Sequence, residues 1–171
     1  MIIYTDGACR FNPGPGAWAC VAIFIPPTSW ESLKIDIPDI SHNKHILNES
    51  DVTYEIGGKN KDTTNNKMEM TAVIRALNFY EIMRNHFKYT EEITIITDSM
   101  YVKDGIEKWI TNWQKNNWIT SQKTPVKNYD LWQEILRYKQ IYSIKWEWTK
   151  GHSGNKYNDL ADKIARNLIS K

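Results

Sequence analysis

Apolar and polar positions alternate in a way that divides the 171-residue chain into short strand-like runs and longer amphipathic stretches. Residues 1–6 and 17–25 are apolar, and the Gly- and Pro-rich stretch between them predicts a hairpin. A third strand is predicted at 53–58. Residues 93–97 form the continuous apolar run typical of a strand covered on both faces, and 144–149 alternate as a last strand.

Longer stretches carry apolar residues at intervals of three and four, which predicts helices. The clearest of them runs from Asn66 to about His86. A helical segment from about Ser99 and helices over 128–139 and 156–169 follow. Three antiparallel strands followed by helix, strand, helices, strand and helix predict an α/β fold. We expect a five-stranded mixed sheet flanked by helices, with right-handed crossovers between parallel strands.

The length is that of one domain, so residues 1–171 are predicted to form a single domain. Within it, 26–52 contain three prolines and show weak periodicity, which predicts a surface insertion between the second and third strands. No window offers the roughly 20 apolar residues of a membrane span, and the first residues lack the features of a secretory signal. We therefore expect a cytoplasmic monomer without an obligate protein partner, in which Cys9 and Cys20 are free thiols.

Charge is distributed unevenly along the chain. Segment 26–55 has six acidic residues against two lysines, a balance of −4, whereas 109–128 has three lysines and no acid. Lysines interleaved with tryptophans suit a nucleic-acid backbone, because ammonium groups neutralise phosphates and indoles stack on bases or sugars. Packing in the core is the alternative role for these tryptophans. The residues concerned are Lys115, Lys123, Lys127, Trp109, Trp113 and Trp118.

Four acidic residues lie in four separate motifs: Asp6 in IIYTDGACRFNPGPG, Glu69 in TTNNKMEMTAVIRAL, Asp98 in ITIITDSMYV and Asp162 in KGHSGNKYNDLADKIAR. Carboxylates beside apolar runs are costly to bury unless they are paired or bind a cation, so the pattern predicts a site for Mg²⁺. Asp6 and Asp98 are predicted neighbours at the carboxyl ends of two strands. For Glu69 the alternative is a capping box in which Asn66 is the N-cap.

Taken in order, these motifs resemble those of type 1 ribonuclease H from the first strand to the last helix. The resemblance implies that Asp6, Glu69, Asp98 and Asp162 are catalytic and hold two Mg²⁺ ions, with Mn²⁺ as a possible substitute. It also implies a role for His152 of KGHSG in proton transfer or product release, where an idle surface histidine is the alternative. The implied activity is endonucleolytic hydrolysis of the RNA strand of RNA–DNA hybrids, leaving 5′-phosphate and 3′-hydroxyl ends.

The resemblance further implies two grooves that contact the hybrid. One would use amide side chains and backbone amides at the minor groove, and the other would use a threonine, two tryptophans and the basic protrusion 109–128 on the DNA strand. The implied binding residues are Gly7, Cys9, Asn12, Asn65 and Asn66 for the first groove, and Thr64, Trp109, Trp113, Lys115, Lys123 and Lys127 for the second.

Two other functions remain open from the sequence. A hybrid-binding module could keep this architecture without turnover, and a ribonuclease H-like recombinase could use similar chemistry to cut DNA. The complete set of four acids argues against the first, and the residues that flank them argue against the second.

Overall fold

The computed structural model describes residues 1–28, 30 and 36–170. Within them, six strands form one sheet. The strands are β1 (Ile2–Cys9), β2 (Gly14–Phe24), β3 (Ile40–Leu47), β4 (Val52–Thr63), β5 (Ile93–Thr97) and β6 (Ile144–Trp148). The helices are α1 (Asn65–Phe87), α2 (Met100–Asp104), α3 (Ile110–Lys115), α4 (Tyr129–Ile141) and α5 (Lys156–Ser170), and a π-helical turn, Gly105–Trp109, joins α2 to α3.

The sheet order is β3-β4-β2-β1-β5-β6. β1 pairs antiparallel with β2 and parallel with β5, so it lies at the point where the sheet changes from antiparallel to parallel. The parallel strands β1, β5 and β6 are connected through helices, as parallel connections require. The predicted α/β class, with a mixed sheet flanked by helices, is confirmed.

The predicted number of five strands is wrong, because the described part of the chain contains β3 as a sixth. β3 lies inside the predicted insertion and pairs antiparallel with β4, for example His45 with Tyr54. Its side chains are mostly exposed, so the strand lacks the alternation that would have predicted it.

The prediction that 26–52 lies on the surface holds only in part. Trp30 is 6% exposed and Ile37 is 5% exposed, and both belong to the main core. Residues 29 and 31–35, with Glu31 and Lys34 of the charge balance, lie outside the described residues.

Two hydrophobic layers cover the sheet, and β2 shows how one strand serves both. Because successive side chains of a strand point to opposite faces, Trp18 and Phe24 pack with α1 and α4, whereas Ala17, Ala19 and Val21 face α5. Small residues on the second face let α5 lie close to the strands. Each large side chain that these layers bury contributes roughly 1.5–3 kcal/mol.

The longest helix, α1, has 23 residues and does not reach the apolarity of a bilayer-spanning segment. The same holds for every other helix in the described ranges.

Candidate active site

Asp6 and Asp98 meet because β1 and β5 are parallel neighbours. Their last paired residues are Thr5 and Thr97, and each acid is the next residue along its strand's direction. β5 ends there, as predicted for Asp98. β1 instead continues to Cys9 through its pairing with β2, so Asp6 marks the end of the parallel pairing and not the end of the strand.

Glu69 reaches these acids because α1 crosses β1 at Gly7. A Cβ atom at Gly7 would lie 2.3 Å from the backbone nitrogen of Glu69, so only glycine allows this approach. The Gly7 N–H donates to Glu69 Oε2 at 3.1 Å. The carboxylate therefore binds a neighbouring strand and does not cap its own helix.

The capping alternative for Glu69 is wrong, and so is the prediction of Asn66 as the N-cap. Thr64 has extended backbone angles, and its hydroxyl accepts a hydrogen bond from the backbone N–H of Lys67. The helix thus begins at Asn65, and Glu69 lies beyond its first turn.

Carboxylate oxygens of Asp6, Glu69 and Asp98 lie within 4.8 Å of one another, and no other such acidic or metal-ligating group occurs in the part of the chain that the structure describes. Opposite ligands of one octahedral Mg²⁺ lie about 4.2 Å apart, so this spacing suits a cation with oxygen ligands. Asp6 is 4% exposed and Glu69 is 5% exposed. Carboxylates so deeply buried and so close to each other require a compensating charge or a proton.

Without a metal, the pKa values of Asp6 and Glu69 are raised, so each carboxyl group favours its protonated form. Burial, followed by the charges of Asp98 and Asp162, raises the pKa of Asp6 to about 8. Burial, followed by the charges of Asp6 and Asp98, raises the pKa of Glu69 well above its usual range. A divalent cation would relieve the same repulsion without protons, which is why these residues fit a metal.

Asp162, the fourth predicted acid, is not a member of this group of three but lies near Asp6, and it has a separate partner. It is close enough to Asp6 to raise the pKa of that carboxyl. Its Oδ1 accepts a hydrogen bond from Arg166 Nε at 2.7 Å, and Arg166 Nη2 lies 3.3 Å from His152 Nε2. His152 itself is exposed in the loop before α5, with a left-handed φ of 53°. Arg166 therefore joins the fourth acid to the histidine.

Three residues that were not predicted as site residues surround Asp98. Asn158 Nδ2 donates to Asp98 Oδ2 at 3.1 Å, and Trp148 Nε1 donates to the backbone oxygen of Asp98 at 3.1 Å. Gly151 approaches the same carboxylate. All three belong to or adjoin the motif around His152, so that motif carries a signal for them, but their contact with Asp98 depends on the fold.

The residues predicted for the first groove lie together beside the acids. Gly7, Cys9 and Asn65 line a surface pocket with Asp162 and Arg166. Two further residues predicted for this groove lie at its margin: Asn12 Oδ1 accepts the Asn65 N–H at 2.8 Å, and Asn66 is exposed in the first turn of α1. Thr64, which was predicted for the second groove, is the N-cap of α1 and precedes Asn65 directly.

The residues predicted for the second groove divide into two sets. Trp109, Trp113 and Lys115 line one concave surface, whereas Lys123 and Lys127 are exposed elsewhere in the protrusion. Trp113 also packs against three indoles, those of Trp109, Trp118 and Trp132. Trp113 thus has both a packing role and a partly accessible face.

The fold and the site define an α/β protein whose clustered carboxylates could hold a divalent cation. A model of the RNase H family matches residues 1–170. The ribonuclease H of Ehrlichia canis (strain Jake) is 42% identical over 171 residues, which cover 100% of this chain and 95% of that protein. The chain belongs to the ribonuclease H family and is an enzyme of the ribonuclease H class.

Solved structures show the same fold. LC9-RNase H1, described as a type 1 RNase H with the type 2 active-site motif, has a TM-score of 0.74 at 23% identity over 99% of this chain and 71% of that one. LC11-RNase H1, solved in complex with an RNA/DNA hybrid, has a TM-score of 0.62 at 20% identity over 99% of this chain and 96% of that one.

Proposed function

We propose that this chain is a Mg²⁺-dependent endoribonuclease that hydrolyses the RNA strand of RNA–DNA hybrids and leaves 5′-phosphate and 3′-hydroxyl ends. The observation that carries the proposal is the group of Asp6, Glu69 and Asp98, whose carboxylate oxygens lie within 4.8 Å of one another. The family supports a ribonuclease H activity, and the hybrid bound to LC11-RNase H1 supports the class of substrate.

Asp6, Glu69 and Asp98 would hold the cations, with Asp162 beside them. Two Mg²⁺ ions held there, with Mn²⁺ as a substitute, would supply positive charge for activating water and for stabilising the oxygen that leaves the ribose. Asp6 is the candidate for the central ligand, because the charges of both Asp98 and Asp162 act on its carboxyl group. Mg²⁺ usually keeps ligands that do not come from the protein, so the scissile phosphate would bind beside these residues.

The chain's own groups prepare this site before substrate arrives. The Gly7 N–H fixes the Glu69 carboxylate, so this ligand does not need to be ordered on binding. His152 lies at an exposed position, linked through Arg166 to Asp162, where its imidazole can exchange a proton with solvent. We assign it to proton transfer or to product release.

Selection of a hybrid would come from two separate surfaces. The pocket lined by Gly7, Cys9 and Asn65 would offer amides to the RNA strand in the minor groove of the hybrid. The surface lined by Trp109, Trp113 and Lys115 offers indoles and positive charge to the DNA strand. Double-stranded RNA lacks the deoxyribose that the second surface would accept.

Labelled RNA–DNA hybrid, duplex DNA, duplex RNA and single-stranded RNA incubated with the protein and Mg²⁺ would test the proposal. We expect cleavage of the hybrid alone, with 5′-phosphate products that a phosphatase alters and a 3′-phosphate-specific enzyme does not. Binding without cleavage would identify a non-catalytic hybrid-binding module, and preferred cleavage of DNA would identify a recombinase-like enzyme. Cytoplasmic location and a monomeric state stay predictions from the sequence.

A further inference from the structure

We propose that Asn158 and Gly151 act together as positioning residues that hold the carboxylate of Asp98 in the orientation needed for cation binding. Neither residue would touch substrate, and both would act through Asp98. The inference rests on the proposed metal-dependent cleavage and assigns a role to two residues that the family resemblance did not supply.

Asn158 has the burial and the contact that such a role requires. Its side chain is almost completely enclosed, with 1% exposure of the residue, and its Nδ2 donates to Asp98 Oδ2 at 3.1 Å. The Asp98 carboxylate is half-buried, and a hydrogen bond from a neutral amide to a carboxylate is charge-assisted and therefore stronger than a bond between two neutral groups. Rotation of the Asp98 carboxylate would break it.

The other end of the Asn158 amide argues against a purely structural role. Within the described residues, Asn158 Oδ1 is buried and has no hydrogen-bond partner. An unsatisfied buried oxygen costs about 1–3 kcal/mol, so stability alone does not favour asparagine at this position. The amide is explained by the single hydrogen bond that it donates to Asp98.

Asn155 places Asn158 by capping the helix. Asn155 Oδ1 accepts hydrogen bonds from the backbone N–H groups of Tyr157 and Asn158, both at 3.2 Å. This cap fixes the start of α5, so the Asn158 side chain leaves the first turn in a set direction. The position of the amide is therefore determined by the helix and not by Asp98.

Gly151, in the loop before α5, leaves room for the same carboxylate oxygen. A Cβ atom at Gly151 would lie 2.8 Å from Asp98 Oδ2, closer than real Cβ contacts. Asn158 thus attracts Oδ2, and the missing side chain at Gly151 leaves the space that Oδ2 occupies in this orientation. Because Asp6 and Glu69 repel Asp98, the hydrogen bond from Asn158 and the space at Gly151 together favour the orientation that keeps the three acids close.

Asn158→Leu is the decisive substitution, because leucine has a similar volume and removes both the donor and the unsatisfied oxygen. We expect Mg²⁺ affinity, measured by calorimetry without nucleic acid, to fall about 10- to 100-fold. We expect kcat to fall by a similar factor of about 10–100 while KM for the hybrid changes less than about twofold. The thermal midpoint in EDTA should be unchanged or higher, because a buried unsatisfied oxygen is lost.

Asn167→Leu is the matched control, since Asn167 is exposed on the same helix. It should leave Mg²⁺ affinity and kcat at wild-type values.

Gly151→Ala is a second, independent test from the loop before α5, because the added methyl group would displace Asp98 Oδ2. This substitution should weaken Mg²⁺ binding without lowering the thermal midpoint in EDTA.

Wild-type Mg²⁺ affinity in Asn158→Leu would overturn the inference, as would a loss of activity matched by a lower thermal midpoint in EDTA. That second result would show a structural role only. If the wild-type protein neither bound Mg²⁺ nor cleaved hybrid, the proposed function itself would fail, and the inference would fail with it.

Discussion

The acidic centre, formed by Asp6, Glu69 and Asp98, and the basic protrusion, 109–128, differ in burial and in how their residues are distributed along the chain. Asp6 and Glu69 are buried, with 4% and 5% exposure, and come from elements far apart in the chain. The lysines of the protrusion are exposed and come from one continuous segment, 109–128. Negative charges are thus concentrated in a buried site, whereas the positive charges of the protrusion are distributed over a solvent-exposed surface.

This difference shows what each region needs from the fold. Like charges at short distance are costly in a buried site, so the sheet and α1 must hold the carboxylates against their own repulsion. Exposed lysines cost little in stability, because water solvates them, but salt screens their attraction for phosphates. We therefore expect changes in the acidic centre to affect catalysis and pH-dependent stability, and changes in the protrusion to affect binding and its salt dependence.

The largest effect is expected for Asp6→Asn. Loss of the central carboxylate should lower kcat at least about 10³-fold, at or beyond the 10²–10³ that loss of one transition-state donor costs. The fold should remain, because asparagine has nearly the same shape. Initial rates on labelled hybrid and circular dichroism measure the two effects. Residual activity within tenfold of wild type would contradict the central role of Asp6.

A smaller catalytic effect is expected for His152→Ala. Loss of a group that transfers protons should lower kcat about 10²-fold and leave KM for the hybrid unchanged. Steady-state kinetics over a range of hybrid concentrations separates the two parameters. An increase in KM at constant kcat would instead assign His152 to substrate binding, and an unchanged rate would leave it as a surface histidine.

Replacing Lys115, Lys123 and Lys127 with Ala tests whether the basic protrusion binds the phosphates of the hybrid. If each lysine contacts a phosphate, the slope of log affinity against log salt should become shallower by up to about 3, with kcat at saturating hybrid unchanged. Fluorescence anisotropy in EDTA at several salt concentrations measures the slope. Lys44→Ala together with Lys145→Ala is the control, because both lysines are exposed outside the protrusion. Equal slopes in the two variants would exclude a specific role for the protrusion.

The smallest effect is expected in the stability of the metal-free protein. The pKa of Asp6 rises on folding from 3.8 to about 8, so the folded state binds more protons than the unfolded chain between these pH values. The free energy of unfolding should therefore fall as pH rises from about 4 to about 8. Thermal midpoints in EDTA should decrease over this range, at roughly 2–4 °C per kcal/mol.

Asp6→Asn should reduce that decrease and raise the midpoint at pH 8, although it abolishes cleavage. Addition of Mg²⁺ to the wild type at pH 8 should also raise the midpoint, because a bound cation stabilises the ionised acids. A thermal midpoint in EDTA that increases steadily from pH 4 to pH 8 would show that ionisation of the acidic centre does not destabilise the metal-free protein.

Much of the fold was predictable because the signal lies in local periodicity. The apolar run 93–97 gave β5 with the same bounds, and the spacing in α1 gave its helix within one residue at each end. β3 was missed because its side chains are mostly exposed, so backbone pairing with β4 holds it and leaves little pattern in the sequence. Trp30 was missed as a core residue because it lies in a segment without periodicity.

The sequence by itself determined the family, the order of most elements and the four acids, because these depend on residue types at short spacing. Only the tertiary structure decided that Glu69 accepts a hydrogen bond from the Gly7 N–H, that Asn158 donates to Asp98, and that Arg166 lies beside His152. Each of these contacts joins residues from different segments of the fold. Side-chain distances of about 3 Å follow from how the sheet and helices pack, and no local pattern encodes that packing.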